Sequence, residues 1–362
     1  MTKTIFFAGG GSAGHVEPAL AVARQWKLRH SDDRAIFLGT SQGLEASLVP
    51  AAGFELRMIP KIAAPRTANL DAIAFPVKFF RSIVVAYRAL APADAVIGFG
   101  GYVCAPVYVA AAMRRIPIVI HDANAKIGWA NSLGSRFTKY LAVAHEIKRG
   151  RFAGATHTGL PLRWDVEISA RESAKDWVSA RTAAKVRLGW NPTHPSVVIL
   201  GGSQGSRSLN DEIALAKDKL GALGIQVLHS VGPKNPIGKT TPLYKAVQYI
   251  EDMPAAYLGS DLVIARSGAV TCAEFAALGK MAVFVPLAIG NGEQARNADS
   301  LVEDGRAIVV AQRDFTAQWL LDNIDSLLFQ SANNSPSGLT DDLNASSNIV
   351  DLMERAIKES HS

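Results

Sequence analysis

Three glycine-rich turns, each directly after an apolar run typical of a strand, most constrain what this chain can fold into. They are Phe7–His15 (FAGGGSAGH), Ile97–Tyr102 (IGFGGY) and Leu200–Gly205 (LGGSQG). Glycine lets the backbone approach a ligand closely, and a helix that begins after such a turn offers N–H groups and a positive dipole end to phosphate. Two turns lie in the first half and one opens the second, which predicts a large phosphorylated ligand gripped from two sides.

Short apolar strands alternate with helical stretches along the 362 residues, a length that favours two domains. Such alternation predicts parallel sheets with right-handed crossovers. We therefore expect an α/β protein with two Rossmann-like domains whose parallel sheets face each other across a cleft. The predicted strands are 3–8, 35–39, 95–98, 117–121, 140–144 and 156–159 in the first half, and 196–201, 226–231, 247–250, 262–265, 282–286 and 307–310 in the second.

The domain boundary is expected just after the segment Gly159–Arg163. The first domain would then span residues 1–162 and the second residues 163–345. Residues 331–347 are rich in Ser and Asn and are predicted to form a loop. Residues 346–362 are predicted to form an amphipathic helix that packs back near the first domain, with an apolar face of Ile349, Leu352, Met353, Ala356 and Ile357.

The net charge of +6 and the pI of about 9.3 favour anionic partners. Because the Lys and Arg residues are scattered, a phosphate ligand or a membrane surface is favoured over nucleic acid. The two cysteines, Cys104 and Cys272, have no metal-ligand spacing, so neither a zinc site nor a disulfide framework is predicted. A reducing, cytosolic setting is expected.

Two other interpretations of the glycine turns fit less well. Gly9, Gly11 and Gly14 match the dinucleotide-binding pattern, but the second strand ends in Gly39-Thr40 rather than in the acidic residue that would hold a ribose. Any single turn could also be a tight strand–helix connection without a ligand. The residues that accompany the turns therefore decide between these interpretations.

Polar side chains suited to a nucleotide sugar follow two strands of the second half. In Asp261–Glu274, Gly268 permits a turn and Ser267 or Thr271 could cap the following helix, so that Glu274 faces the loop mouth and can accept two ribose hydroxyls. Glu274 could equally be an ordinary solvated helix residue. After the next strand, Glu293, Gln294 and Asn297 have the hydrogen-bonding character that sugar hydroxyls require.

From Phe7 to about Ile308 the sequence resembles the MurG family of peptidoglycan-pathway N-acetylglucosaminyltransferases. The resemblance rests on an ordered set of motifs: Gly10–Val22 (GGSAGHVEPALAV), Gly98–Tyr102 (GFGGY), Gly201–Gly205 (GGSQG), Ala265–Ala269 (ARSGA) with Glu274, and Gly292–Gln294 (GEQ). It implies a GT-B fold and inverting transfer of N-acetylglucosamine from UDP to the 4-hydroxyl of an undecaprenyl-diphosphate-linked muramyl pentapeptide. It also implies peripheral association with the cytoplasmic face of the cell membrane, with other cell-wall synthesis proteins as further partners.

The resemblance also implies roles for individual positions. Ser203 and its loop would bind the donor diphosphate with Arg163 near the nucleotide, Ile250 would meet uracil, Glu274 the ribose, and Asn124, Glu293 and Gln294 the N-acetylglucosamine. The remaining donor-site positions are Ser12, Ala13, Gly14, Gln204, Gly205, Ala269, Val270 and Thr271, and the acceptor-diphosphate positions are Gly11, Gly14, Gly100, Gly101 and Tyr102. The family often has Glu-Gln-Asn where this chain has Asp122-Ala-Asn124, often Asn where it has Leu160, and sometimes Gln at Glu293.

No Asp-x-Asp sequence occurs in the chain, so we expect a metal-independent reaction without a cofactor. The leaving diphosphate would be stabilised by helix N-terminal amides after Gly205, by Ser203 and by Arg163. His15 directly follows the first glycine turn, and imidazole titrates near neutral pH as a general base requires. His15 is therefore the candidate base, although it could instead cap the helix or bind the acceptor diphosphate.

Residues 70–90 are the candidate membrane contact, because they carry two apolar stripes on nearly opposite sides of a helix. Phe75, Phe79 and Ile83, together with Lys78, are predicted to face the membrane. Alternatively, the helix is buried on both sides and broken at Pro76. Two other functions stay open: a UDP-N-acetylglucosamine 2-epimerase, or a non-catalytic regulatory subunit that binds a nucleotide sugar.

Overall fold

The computed structural model describes residues 2–62, 70–124, 126–202, 204–287, 293–333 and 341–360, with only the backbone of 70–74, 293 and 341. By its internal contacts the chain divides into two compact units. Unit 1 comprises Met1–Trp164 and Asp341–Ser362, and unit 2 comprises Asp165–Thr340. Each unit has its own parallel sheet and core, so the prediction of two parallel α/β domains is confirmed.

Unit 1 begins with a Rossmann-like alternation of strands and helices. Its elements are β1 (Thr4–Ala8), α1 (Ala13–Arg29), β2 (Arg34–Gly39), α2 (Glu45–Ala51), β3 (Glu55–Met58), α3 (Leu70–Ala89), β4 (Ala95–Gly98), α4 (Cys104–Met113), β5 (Ile118–Asp122), α5 (Trp129–Gly134), β6 (Tyr140–Val143) and β7 (Thr156–His157). The strands are parallel and lie in the order β3-β2-β1-β4-β5-β6-β7. The inner strands are covered on both faces, which is why β1 is a continuous buried run, TIFFA.

Unit 2 repeats this arrangement. Its elements are α6 (Trp164–Ser173), α7 (Trp177–Arg187), β8 (Ser196–Leu200), α8 (Arg207–Ala222), β9 (Gln226–Ser230), β10 (Tyr244–Val247), α9 (Met253–Gly259), β11 (Leu262–Ala265), α10 (Ala269–Leu278), β12 (Ala282–Phe284), α11 (Glu293–Asn297), α12 (Asp299–Glu303), β13 (Ala307–Val309) and α13 (Ala317–Asn333). Its parallel strands lie in the order β10-β9-β8-β11-β12-β13.

The last helix, α14 (Ala345–Ser360), returns to unit 1 after a short 3-10 turn. Its Ile349 and Met353 are fully buried in the same core cluster as Val16 and Trp26 of α1. The apolar stripe at helical spacing thus completes the core of unit 1, as an amphipathic helix does when one face is covered.

Three local expectations differ from the structure. The edge strand β3 (Glu55–Met58) was not predicted, because its alternating charged and half-exposed residues lack the apolar run of a buried strand. The strand expected at residues 247–250 lies earlier, at Tyr244–Val247, where it pairs with β9. The helix break at Pro76, which belonged to the alternative interpretation of this segment, does not occur, since α3 continues through it. Among the described residues, no helix is both long enough and apolar enough to cross a membrane.

Candidate functional site

The three predicted glycine turns lie where the sheets reverse their strand order. In unit 1 the order reverses between β1 and β4, and in unit 2 between β8 and β11. Ligands of open parallel sheets bind beyond the carboxyl ends of the strands at such points. The three glycine turns follow β1, β4 and β8, so all three lie at these positions.

His15 lies in the first turn of α1, directly beyond β1, and is half-buried. Its Nδ1 lies 3.1 Å from the carbonyl oxygen of Gly10 and 3.1 Å from the hydroxyl of Ser12. Because a carbonyl can only accept a hydrogen bond, the contact with Gly10 favours the tautomer that carries its proton on Nδ1. A neutral ring with this tautomer has its lone pair on Nε2, which is the atom that can act as a base.

The glycine turn after β4 lies against the same histidine. Gly100 and Gly101 have φ values of 95° and 83°, in the left-handed region that favours glycine. A Cβ atom on Gly100 would lie 3.2 Å from His15 Nε2, and one on Gly101 would lie 2.3 Å from the Gly10 oxygen. The structure thus brings His15, Gly100 and Gly101 together, with the half-buried Tyr102 beside them.

The N–H group of Gly11 is already occupied within unit 1. It donates to the Glu45 carboxylate of α2 over 2.9 Å. The place of Gly11 at the acceptor diphosphate stays a prediction, with its amide already donating to Glu45. The amides of Ala13 and Gly14 belong to the first turn of α1, where helical N–H groups have no partner within the helix, so they fit an anion better.

The loop after β5 carries Asn124 and is organised by Asp122. The Asp122 carboxylate accepts hydrogen bonds from the amides of Asn124 and Gly128 and from Nδ2 of Asn131, each over 3.0 Å. Burial raises the pKa of Asp122, and these three donors oppose that rise. Tyr108 donates to Asn131 over 2.7 Å. A buried network therefore fixes the backbone on which Asn124 stands.

In unit 2 the glycine turn after β8 leads into the N-terminus of α8. Gly202 and Gly205 have φ values of 85° and 76°, and a Cβ atom on Gly205 would lie 2.0 Å from the oxygen of Val231. Ser206 caps the helix by accepting from the amide of Leu209. Gln204 is exposed beside this turn, and the adjoining Ser203 lies outside the described residues.

Arg266, directly after β11, was not assigned a role from the sequence. It is 9% exposed, and its guanidinium donates to five neutral oxygens: Ser206 Oγ, Ser208 Oγ, Gln312 Oε1 and the carbonyls of Val285 and Pro286. Burial lowers the pKa of Arg266. A nearly buried cation thus lies beside the N-terminus of α8. The sequence feature that could have identified Arg266 is a basic residue directly after an apolar strand.

The sequence suggested that Glu274 either faces the mouth of the loop or is a solvated helix residue. The structure shows neither arrangement. Glu274 is 2% exposed, and its Oε2 accepts from the hydroxyl of Tyr257 over 2.9 Å. Tyr257 belongs to α9, which begins just after the buried Ile250. The structure therefore connects the expected ribose residue to the helix that follows the expected uracil residue.

The first turn of α10 holds the half-buried Ala269, Val270 and Thr271. Its N-cap is Gly268, without a side-chain cap, so neither of the expected caps, Ser267 and Thr271, is used. Nearby on α11, Gln294 accepts from the amide of Leu287 over 2.9 Å, and Asn297 donates to the Ser267 carbonyl over 3.1 Å. The side chain of Glu293 lies outside the described part of the chain.

The expected donor residues are divided between the two units. Ser12, Ala13, Gly14 and Asn124 lie in unit 1, and so does the half-buried Arg163, which follows β7. Unit 2 carries the described others, which are Gln204, Gly205, Ile250, Ala269, Val270, Thr271, Glu274 and Gln294. Arg163 was expected in the second domain. No group of three or more His, Cys, Asp or Glu side chains suited to a metal ion occurs among the described residues.

Two of the α3 residues that were expected to face a membrane point towards the core of unit 1 instead. Phe79 and Ile83 pack against the core of unit 1, and Phe75 stacks on Phe79 with ring centroids 5.6 Å apart. Val77 and Phe80, on the other stripe, are 73% and 68% exposed. The choice of Phe79 and Ile83 is therefore corrected, because both stripes have helical spacing and only the packing distinguishes them.

Comparison with known proteins identifies the family. Residues 5–143 match the glycosyltransferase family 28 N-terminal domain, and residues 196–353 match the glycosyltransferase family 28 C-terminal domain. The chain belongs to glycosyltransferase family 28. The two matches cover most of the chain and contain all of the glycine turns described above.

Two relatives of this chain carry the same name. A UDP-N-acetylglucosamine--N-acetylmuramyl-(pentapeptide) pyrophosphoryl-undecaprenol N-acetylglucosamine transferase of Frankia casuarinae is 46% identical over 89% of this chain and 86% of the relative. One of Corynebacterium glutamicum is 41% identical over 99% of both. The crystal structure of Acinetobacter baumannii MurG covers 98% of this chain and 100% of that one, with a TM-score of 0.70 and 26% identity. The resemblance to MurG and the GT-B fold are confirmed.

Proposed function

We propose that this family 28 enzyme transfers N-acetylglucosamine from UDP-N-acetylglucosamine to the 4-hydroxyl of muramyl pentapeptide on undecaprenyl diphosphate, in peptidoglycan synthesis. The relatives named for this reaction, at 41% and 46% identity, support the proposal and favour it over an epimerase. The observation that carries it is the His15 ring at the β1–β4 reversal, whose Nδ1 donates to Gly10 and whose Nε2 can therefore accept a proton.

The proposed chemistry is a direct displacement with inversion. His15 Nε2 accepts the proton of the acceptor 4-hydroxyl while that oxygen forms a bond to the anomeric carbon of N-acetylglucosamine. The bond between this carbon and the β-phosphate oxygen breaks, and UDP leaves with the electron pair. The imidazolium then releases its proton to solvent, which restores the base.

The donor would be held by unit 2. Glu274 stays the predicted ribose residue, and the diphosphate would lie against the amides at the N-terminus of α8, where the helix dipole favours negative charge. Arg266 adds a positive charge beside the same helix end, through the hydroxyls of Ser206 and Ser208. This arrangement supports departure of UDP as an anion.

Acceptor binding would involve unit 1 and the inner face of the cytoplasmic membrane. The exposed Val77 and Phe80 of α3, with the exposed Lys78, Arg81 and Arg88, form a surface that suits anionic lipid. Binding to vesicles of anionic phospholipid should fall several-fold in Val77→Ser. Val178→Ser is the matched control, because Val178 in unit 2 is 74% exposed and Val77 is 73% exposed. Equal binding by both variants and the unchanged protein would refute this contact.

The catalytic proposal is tested by transfer of radiolabelled N-acetylglucosamine to a short-chain lipid-linked muramyl pentapeptide, with a chelator present. We expect labelled β-linked product from the unchanged protein and a fall in kcat of about 10²- to 10⁴-fold in His15→Ala, with UDP-sugar affinity largely kept. His194→Ala, at an exposed histidine of unit 2, is the control. Full activity of His15→Ala would contradict the base role, and absence of transfer with intact donor binding would favour a regulatory subunit.

A further inference from the structure

A buried carboxylate lies beneath the first glycine turn, and the chemistry proposed above gives it no part. Glu45, the first residue of α2, is 1% exposed. Its Oε1 accepts from the amide and the hydroxyl of Thr40, both over 2.9 Å, and its Oε2 accepts from the amide of Gly11, also over 2.9 Å. The carboxylate thus joins the loops that follow β1 and β2.

Three glycines make room for this carboxylate. A Cβ atom would lie 2.8 Å from Glu45 Oε1 at Gly10, 2.5 Å from Glu45 Cγ at Gly39 and 2.0 Å from Glu45 Oε2 at Gly43. Each distance is shorter than a normal non-bonded contact. Glycines of two separate loops, together with the last residue of β2, therefore shape a close-fitting enclosure for the Glu45 side chain.

The contact with Gly11 reaches His15 through a single peptide group. The amide of Gly11 and the carbonyl of Gly10 belong to the same peptide unit. The amide donates to Glu45 over 2.9 Å, and the carbonyl accepts from His15 Nδ1 over 3.1 Å. Hydrogen bonds in such a chain polarise one another, so the negative charge of the carboxylate makes the Gly10 oxygen a stronger acceptor.

We propose that Glu45 is a positioning residue that acts on His15 through the Gly10–Gly11 peptide group. It holds the ring in the Nδ1-protonated tautomer and stabilises the imidazolium that forms when Nε2 accepts the acceptor proton. The proposal rests on the base role of His15. Glu45 itself exchanges no proton in this step, and the transferred proton remains on Nε2 until it passes to solvent.

Other charged groups also act on the His15 ring, and the test must separate them from Glu45. Asp122 of β5 interacts electrostatically with the ring, and Glu17 lies on α1 itself. Both are present before and after a substitution at Glu45. The difference between the variant and the unchanged protein therefore reports Glu45 alone.

The test compares Glu45→Gln with Asp33→Asn in the full-length protein. Gln keeps the size and one acceptor oxygen of Glu45 but removes the charge. Asp33 is the matched control, because it is 7% exposed and accepts from the amide of Lys3 over 2.8 Å, just before β1. The readouts are kcat against pH and the titration of the His15 ring nitrogens by NMR, assigned with His15→Gln.

We expect Glu45→Gln to lower the plateau of kcat about tenfold. Activity rises with pH as the base loses its proton, and the charge of Glu45 favours the protonated ring. Its removal should therefore move the rising limb, and the NMR titration, to lower pH by about half a unit or more. Asp33→Asn should move neither the limb nor the titration.

If Glu45→Gln folds and the rising limb of its kcat–pH profile lies at the same pH as in the unchanged protein, the proposal is overturned, whatever the maximal kcat. Glu45 would then be a purely structural residue. If Glu45→Gln does not fold, Glu45→Asp takes its place, because aspartate keeps the charge but withdraws the carboxylate from Gly11. If the maximal kcat and the pH of the rising limb are both unchanged in Glu45→Asp, the proposal is likewise overturned. Full activity of His15→Ala would instead refute the base role itself, so the two failures are distinguishable.

Discussion

Gly101→Ala should reduce turnover far more than it reduces stability, because the added methyl group meets the loop that orients His15. At Gly101 a Cβ atom would lie 2.3 Å from the oxygen of Gly10 and 3.2 Å from Nδ1 of His15. A normal carbon–oxygen contact is about 3.3 Å, so one of the two loops must move by about 1 Å. A displacement of this size at a reacting group costs about 100-fold in rate.

The substitution also places alanine at a φ of 83°, which costs about 1–2 kcal/mol of stability by itself. Gly53→Ala separates the two effects, since Gly53 has a φ of 82° and its Cβ would meet nothing within 4 Å. The assay is steady-state transfer to the lipid-linked acceptor, with thermal unfolding of both variants. We expect similar losses of stability but a loss of kcat only in Gly101→Ala. Retention of kcat within twofold in Gly101→Ala, or an equal loss in Gly53→Ala, would refute the reasoning.

Three further predictions follow from buried groups of unit 2. Tyr257→Phe removes a hydrogen bond to the Glu274 carboxylate, so the KM for UDP-N-acetylglucosamine should rise about tenfold with kcat within threefold; an unchanged KM would contradict this role. Arg266→Met should weaken binding of UDP about tenfold but of uridine less than twofold by calorimetry, and equal losses would exclude an effect on the diphosphate. Burial lowers the pKa of Lys280 to about 7; Asp261 opposes this fall, and the positive charges of Arg181 and Lys185 add to it. Between pH 7 and 9 the unfolded chain therefore binds the extra proton. Denaturant unfolding should then show the unchanged protein gaining up to about 1.4 kcal/mol per pH unit relative to Lys280→Met, and parallel curves would mean that Lys280 stays charged in the fold.

The sequence was sufficient for the fold where buried strands carry continuous apolar runs. β1 and β8 are such runs, and both were predicted with their following glycine turns. β3 was missed because an edge strand needs no apolar run, and its pairing with β2 is decided by neighbours elsewhere in the chain. The direction of α3 could not be predicted either, since its two apolar stripes have the same spacing and only contact with the core chooses between them.

The candidate site was predictable only where its chemistry lies within one short motif. His15 follows its glycine turn directly, so spacing alone placed it at the start of α1. Glu45 lies 34 residues from its partner Gly11, and Gln312 lies 46 residues from Arg266. Contacts of this kind arise from the strand order, which a single sequence does not reveal. The missed residues are therefore those that support the motif rather than those that belong to it.

Both units have a reversal of strand order in their sheet, and the buried charges near the two reversals have opposite signs. In unit 1 the loop after β1 is held by the buried carboxylate of Glu45, while in unit 2 the guanidinium of Arg266 lies beside the α8 end of the turn after β8. The proposed chemistry needs this difference, because a base that gains a proton is stabilised by negative charge and a departing diphosphate by positive charge. A helix N-terminus is positive in both units, so the dipole alone cannot distinguish the two tasks. In the proposed chemistry each buried charge supplies that distinction: Glu45 would offset the dipole of α1 beside His15, and Arg266 would add to the dipole of α8 beside the diphosphate.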